Sequence, residues 1–238
     1  MSWLNSMDKL CDITLINGDC MDFLRSCPDK AFDLAIVDPP YGISVVREKQ
    51  LNVFKHTINH HRNDARKNRL SSGAGKLKNR AIQTMDSDWD LLLPTNEYFD
   101  ELFRASKNQI IWGGNYFDLP PTRCIICWDK QQPWDNFSQF EMAWTSFDSP
   151  AQMFRYRNTG DGVKRIHPTQ KPIDLYKWLL SKYAKPGDRI LDTHLGSGSS
   201  AIACHDGCFE MTGIELDPKY YAAAKQRIER HQMQGRLF

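Results

Sequence analysis

The chain predicts an α/β fold with a doubly wound, mostly parallel sheet and helices on both faces. Three observations predict it. Apolar runs of strand length alternate with stretches at helical spacing. The clearest run, Phe32 to Val37 (FDLAIV), is apolar apart from Asp33 and does not alternate, as suits a strand buried on both faces of a parallel sheet. Reactive or glycine-rich residues follow several runs at once, and open α/β sheets bind ligands at the carboxyl ends of their strands.

Ile13 to Asn17 is a β-branched run closed by Gly18-Asp19. Cys20 to Ser26 follows, with Met21, Phe23 and Leu24 near helical spacing. Phe32 to Val37 then stops on Asp38-Pro39-Pro40-Tyr41. Order resumes near Trp89, and Tyr98 to Ser106 predicts a helix through Phe99, Leu102 and Phe103. Gln109 to Trp112 predicts a strand ending at Gly113-Gly114-Asn115, and Arg123 to Trp128 another. Glu141 to Ser146 predicts one more after a polar loop. Ile173 to Tyr183 predicts a helix with Leu175, Trp178, Leu179 and Tyr183 along one side. Pro186-Gly187-Asp188 is a turn into the short strand Arg189 to Leu191, followed by Asp192 and Gly196-Ser197-Gly198. Ser200 to Gly207 predicts a helix, Met211 to Ile214 a strand ending at Glu215, and Pro218 to His231 the last helix. The 238 residues suffice for one large domain spanning 1–238, and no internal repeat breaks it.

Arg47 to Arg80 stands apart. It carries ten Lys or Arg against Glu48 and Asp64, a local charge of about +8 in a chain whose net charge is +2. Few large apolar residues accompany them, so the segment 47–80 is expected to be a basic, mobile insertion without a core of its own. No run of eighteen apolar residues suggests a membrane span, and Met1 to Asp12 lacks the basic start and apolar run of a secretory signal. The seven scattered cysteines are odd in number and read as reduced thiols of a cytoplasmic protein. Cys124-Ile-Ile-Cys127 has no second pair at zinc spacing and reads as strand cysteines, so no metal is expected.

Two clusters carry chemistry. Asp38-Pro39-Pro40-Tyr41 combines a carboxylate, a carbonyl on a proline-stiffened turn and a flat ring. An aryl amine is a poor nucleophile because its lone pair is delocalised into the ring. Two acceptors drawing on its N–H bonds can restore the pair. The Asp38 carboxylate and the Pro39 carbonyl could do so, with the extruded base stacked on Tyr41. A bland prolyl turn is the competing reading. Asp192-Thr193-His194-Leu195-Gly196-Ser197-Gly198 places glycines ahead of a helix N-terminus, where a backbone can approach a ligand. Glu215, 23 residues beyond Asp192, closes the next run, where a carboxylate can accept both hydroxyls of a ribose. Gly196-x-Gly198-x-x-Ala201 also fits a dinucleotide fingerprint.

Together the clusters resemble the amino-methyltransferases of DNA, whose catalytic motif is D-P-P-Y. His167-Pro168-Thr169-Gln170-Lys171-Pro172 extends the resemblance, because that family carries H-P-T-x-K-P ahead of its glycine loop. The resemblance covers about Ile13 to Tyr221. It implies a Rossmann-like fold that uses S-adenosyl-L-methionine (S-adenosylmethionine) and methylates an exocyclic amine in DNA. The tetrapeptide precedes the glycine loop, as in the circularly permuted beta-type subgroup. By that resemblance Asp19 and Cys20 would border the cofactor's adenine. His167, Thr169 and Lys171 would enclose its methionine part, and Asp192, Gly196, Ser197, Gly198 and Glu215 would complete the site. D-P-P-Y accompanies adenine-N6 more often, whereas cytosine-N4 enzymes more often carry Ser in place of Asp. Thr193-His194 departs from the more usual Pro-Phe.

DNA is the expected partner, held by the basic insertion through phosphates and read there and within Cys127 to Asp148, which includes Trp128, Trp134 and Trp144. Gly113 to Phe117 is a further candidate to line the target-base pocket. A homodimer stays open because the subgroup includes dimers. Two other functions remain open at this point. A nicotinamide-dependent oxidoreductase would use the glycine fingerprint but leave the diproline and the hexapeptide unexplained. A non-catalytic nucleic-acid-binding module would leave Asp38, Tyr41 and Gly198 without a purpose.

Overall fold

Nine strands among the described residues form one sheet in the order β1-β2-β9-β8-β3-β4-β6-β5-β7. The computed structural model describes residues 8–10, 12–42, 93–132, 138–157, 166–167 and 169–234. The strands are β1 (Asp8–Leu10), β2 (Ile13–Asn17), β3 (Phe32–Val37), β4 (Ser106–Trp112), β5 (Ile125–Asp129), β6 (Phe140–Thr145), β7 (Gln152–Arg155), β8 (Arg189–Asp192) and β9 (Glu210–Glu215). The helices are α1 (Cys20–Ser26), α2 (Asn96–Ala105), α3 (Ile173–Tyr183), α4 (Ser199–Asp206) and α5 (Pro218–Gln234). The chain divides into two compact units, one of Met1–Pro39 with Pro94–Phe238 and one of Pro40–Leu93. The sheet belongs to the first. In the second, Gly42 lies beside the Leu93 side chain. The basic insertion, 47–80, lies outside the described residues.

β3 sits mid-sheet, which explains the unbroken apolar run from Leu34 to Val37. Leu34 and Ile36 face one core, where α3, α4 and α5 pack through Leu179, Ile202 and Ile228. Ala35 and Val37 face the other, where α1 and α2 supply Leu24, Phe99 and Leu102. The apolar stripe of α2 is buried as its spacing requires, with Tyr98, Phe99, Leu102 and Ala105 all inward. Asp19 caps α1 by accepting from the Met21 amide at 2.8 Å, satisfying one of the orphan N–H groups of the first turn.

Strands β2, β9, β8, β3 and β4 run parallel. The far side is mixed, because β6 is antiparallel to both β4 and β5 while β7 is parallel to β5. The sequence revealed the strand Glu141 to Ser146 but not its direction, since burial patterns are the same either way. β1 and β7 were not expected. Three residues in β1 and a half-buried, mixed QMFR in β7 are too short or too irregular to show a period.

In this topology β3 leads outward to β4 while β8 leads the opposite way to β9. Adjacent strands with diverging connections open a crevice at their carboxyl ends. Asp38 follows β3 and the glycine loop follows β8, so the two sequence clusters meet at this switch point. Leu102, fully buried beneath it, tests the packing. Leu102→Ala should cost about 2–5 kcal/mol. The urea midpoint should fall with an unchanged slope, and an unmoved midpoint would contradict the core described.

Candidate active site

Asp38 begins where β3 ends, and Pro39 behind it is buried. Its Oδ2 accepts a hydrogen bond from Lys171 Nζ. The Lys171 side chain is only 2% exposed. Lys171 Nζ also lies 3.1 Å from Glu141 Oε2 on β6, and Glu141 Oε1 lies 2.6 Å from Lys130 Nζ. Four charges thus alternate in sign across three strand ends. The Lys171 ammonium stands 5.2 Å from the Trp112 ring centroid and that of Lys130 5.5 Å from Trp128. Burial works against the ammonium of Lys171, but Asp38 and Glu141 hold its pKa above the ordinary value. Burial likewise works against the Glu141 carboxylate, but Lys171 and Lys130 hold it below the usual range. Pro40 and Tyr41 belong to the second compact unit.

The glycine loop closes on itself. Gly196 and Gly198 take positive φ of 53° and 72°, which L side chains rarely adopt. Glu215 Oε2 accepts from the Gly196 amide at 2.8 Å and Oε1 from the Asp217 amide at 3.0 Å. Burial raises the Glu215 pKa against those hydrogen bonds. Ser197 is nearly buried, its hydroxyl 3.1 Å from Ser199 Oγ and its carbonyl accepting from Arg227. Asp192 lies inside the turn, accepting from Ser200 Oγ at 2.6 Å and the His194 amide at 3.0 Å. Burial pushes its pKa up to about 7, with further repulsion from Asp38 and Glu215.

Asp19 is exposed at the end of β2, two residues past Asn17, which pairs with Glu215 in register. Burial, with Asp19 beside it, raises the Cys20 thiol to about 12, so Cys20 stays protonated. In the hexapeptide the Gln170 amide donates to the His167 carbonyl at 3.2 Å; Pro168 lies outside the described residues. His167 Nδ1 is 3.1 Å from Thr169 Oγ1, and its ring meets Tyr220 edge-on at 4.4 Å. A side chain on Gly196 would have His167 as its nearest neighbour, 3.7 Å away. Burial, then Lys171, lowers the His167 pKa to about 4, so the ring is neutral at pH 7.

The sequence-predicted residues therefore fall into two groups. Asp38 and Lys171 form one ion pair, although the resemblance would place Lys171 at the cofactor's methionine. Asp19, His167, Gly196 and Glu215 line the carboxyl ends of β2, β8 and β9. Two carboxylates, a neutral imidazole and a loop of backbone amides suit a ribose, a purine edge and a cationic sulfonium. Each carboxylate oxygen of Glu215 has acceptor capacity for more than one donor.

Glu141 and Lys130 carried no signal in the sequence, because their importance comes from strand pairing across distant segments. Tyr98 was read only as the start of a helix, yet its OH lies 2.7 Å from Thr193 Oγ1. Trp128 is 1% exposed and lies in the core, so it cannot read DNA; Trp134 lies outside the described residues. Trp144 donates to the Pro120 carbonyl and packs on Phe103. At Gly114 a Cβ would come within 2.4 Å of Trp144 Cβ, so close strand approach alone demands that glycine.

The raised pKa of Asp192 has a consequence for stability. The native state holds a proton that the unfolded chain releases near the ordinary value of 3.8. The contribution of this group is therefore most favourable below about pH 4 and is lost as pH rises toward about 7. The stability of wild type relative to Asp192→Asn should fall across that interval in urea titrations. A difference independent of pH would overturn the assignment.

The DNA methylase family model matches residues 49–226, three quarters of the chain. Two curated relatives align with most of it. The type II methyltransferase M.BglII of Bacillus subtilis is 21% identical over 89% of this chain and 68% of its own length. M.HinfI of Haemophilus influenzae is 25% identical over 90% and 68%. Among solved structures, the PvuII DNA methyltransferase (cytosine-N4-specific) superposes with a TM-score of 0.57 at 12% identity, covering 92% of this chain and 90% of that one. An M1.HpyAVI–SAM complex superposes at 0.50 and 18% identity, covering 91% and 98%. Those likenesses fix the fold as that of these enzymes, and the family match identifies the chain as a member of the DNA methylase family.

Proposed function

We propose that this protein transfers a methyl group from S-adenosyl-L-methionine to N6 of adenine in DNA, on a base turned out of the duplex. The observation that supports it most is the position of Asp38 and the buried Pro39 at the carboxyl end of β3, beside the glycine loop of β8. The motif order, tetrapeptide before loop, supports the permuted beta-type subgroup. The choice of adenine rests on Asp at position 38.

S-adenosylmethionine supplies an activated methyl group on a positively charged sulfur. Asp19, Cys20, Glu215 and the Gly196-Ser197-Gly198 amides would hold its adenosine part, with His167 and Thr169 over the loop. Asp192 acts at one remove, by fixing that loop through Ser200 and the His194 amide. Asp38 and the Pro39 carbonyl accept the two amine N–H groups and localise the nitrogen lone pair. Tyr41 offers its ring to the base. As the new C–N bond forms and the sulfur–methyl bond breaks, positive charge develops on the nitrogen. The two acceptors stabilise that charge, and the amine proton, now acidic, leaves through Asp38 or to solvent. Residues 47–80 would contact phosphates through their ten cations. Binding should then weaken steeply between about 50 and 200 mM salt, and a flat salt dependence would remove that role.

The deciding measurement is transfer from labelled S-adenosylmethionine to unmethylated mixed-sequence DNA, with nucleosides identified by mass spectrometry. N6-methyldeoxyadenosine is the expected product; N4-methyldeoxycytidine would keep the mechanism and correct the base. Asp38→Ala should lower turnover by at least about 100-fold, the scale of one lost preorganised electrostatic partner. Calorimetric affinity for the cofactor should stay within a few-fold. Turnover retained in that variant would sink the assigned mechanism.

A further inference from the structure

We propose that Lys171 and Glu141 are positioning residues that set how strongly Asp38 accepts from the target amine. Lys171 fixes the carboxylate in place, and Glu141 draws part of the lysine's charge away from it. The inference rests on the methyltransferase reading above and assigns Lys171 to the acceptor rather than to the cofactor.

The argument begins with a conflict. A carboxylate at the buried end of β3 must be ionised and held still to accept an N–H, and a cation against it does both. The same cation opposes the positive charge that develops on the alkylating nitrogen. A lysine paired with Asp38 alone would therefore weaken the acceptor it orients. Here Lys171 Nζ touches Asp38 Oδ2 and also lies 3.1 Å from Glu141 Oε2. Glu141 in turn is held by Lys130 at 2.6 Å, so it is fixed from outside the site. Each of the four charges has an opposite charge beside it, which makes their burial tolerable. The fully buried Trp112 presents its ring to the Lys171 ammonium at 5.2 Å.

Other titratable groups sense the pair. Asp192, Tyr98 and Tyr176 feel the charge of Asp38, and His167 feels that of Lys171. They are common to every variant below, so differences between variants report the charge removed at 141 or 171.

The two positions make opposite predictions. Removing Lys171 takes a cation from direct contact with Asp38, so the acid limb of the single-turnover pH profile should move upward by about one unit or more. Removing the charge of Glu141 takes a competing anion away from Lys171 and a like charge away from the row that ends at Asp38, so that limb should move downward. Lys171→Met should lower the single-turnover rate at pH 7.5 by about 100-fold, the scale of a misplaced reacting group. Glu141→Gln should lower it less. Lys171→Arg should restore the position of the limb while leaving the rate reduced. Cofactor affinity, measured by calorimetry without DNA, should stay within about threefold in all three, far from the tenfold that 1.4 kcal/mol represents.

A merely structural role would change rates or melting without moving the limb in opposite directions. Should Lys171→Met fail to fold, Glu141→Gln decides the matter. An unmoved limb in a folded Glu141→Gln protein overturns the proposal. So does a more than tenfold loss of cofactor affinity in Lys171→Met with the limb in place, because that result puts Lys171 in the cofactor pocket. Wild-type protein run alongside separates the two levels. If it yields neither N6-methyldeoxyadenosine nor N4-methyldeoxycytidine, the underlying reading fails and this inference falls with it.

Discussion

Parallel register across β2, β9, β8, β3 and β4 is the constraint on which the rest of the molecule depends. Parallel pairing points every carboxyl end to one edge of the sheet. Residues far apart in sequence, Asp19, Asp38, Asp192 and Glu215, must then share that edge. Their shared position follows from backbone hydrogen bonding in the sheet, before any side chain is considered. The crossover helices complete the constraint by burying both faces, which is why β3 can afford no polar residue between Leu34 and Val37.

Collecting carboxylates at one edge has an electrostatic consequence. Asp192 feels repulsion from both Asp38 and Glu215, and the three carboxylates are held differently. Asp38 receives a buried lysine. Glu215 receives two backbone amides. Asp192 receives a hydroxyl and one amide, and these do not offset its complete burial, so its pKa rises to about 7. The contrast is chemically sensible: a carboxylate meant to accept from substrate sits against a cation, and one meant to brace a turn is allowed to hold its proton. Buried ion pairs seldom add net stability relative to apolar replacements. Retaining Lys171, Glu141 and Lys130 in so dry a place is therefore better explained by what they do for Asp38 than by folding.

How much of this was legible follows from the range of each interaction. The run FDLAIV, the helix at Ile173–Tyr183 and the loop with Gly196 and Gly198 were readable, because burial on both faces, a 3.6-residue period and positive φ leave local signatures. The placement of Asp38 beside the glycine loop was readable only through a family likeness, since strand order is not written in either segment. Glu141 was illegible. It sits in a half-buried alternation ordinary for a strand, and only the pairing Trp112↔Ala143 brings it beside the end of β4. The direction of β6 and the existence of β7 were invisible for the same reason. Lys171 was noticed for its motif, but a motif carries no coordinates and could not tell which partner the ammonium would choose.

The departure at Thr193-His194 illustrates how a site tolerates change. Thr193 Oγ1 is 2.7 Å from the Tyr98 hydroxyl and 2.9 Å from His194 Nδ1, and the Tyr98 ring meets the His194 ring edge-on at 5.4 Å. Burial lowers the His194 pKa to about 4, so the ring is neutral and acts as a flat, polar-edged filler. Pro-Phe at these positions would fill similar space but offer no hydroxyl and no ring nitrogen. It would also remove a hydrogen bond of Tyr98 inside the protein, and an unsatisfied buried hydroxyl costs about 1–3 kcal/mol. The threonine, the histidine and the tyrosine therefore form one unit joining α2 to the glycine loop. A change at any one of them would be felt at the turn that Asp192 braces, and so at the cofactor edge of the sheet.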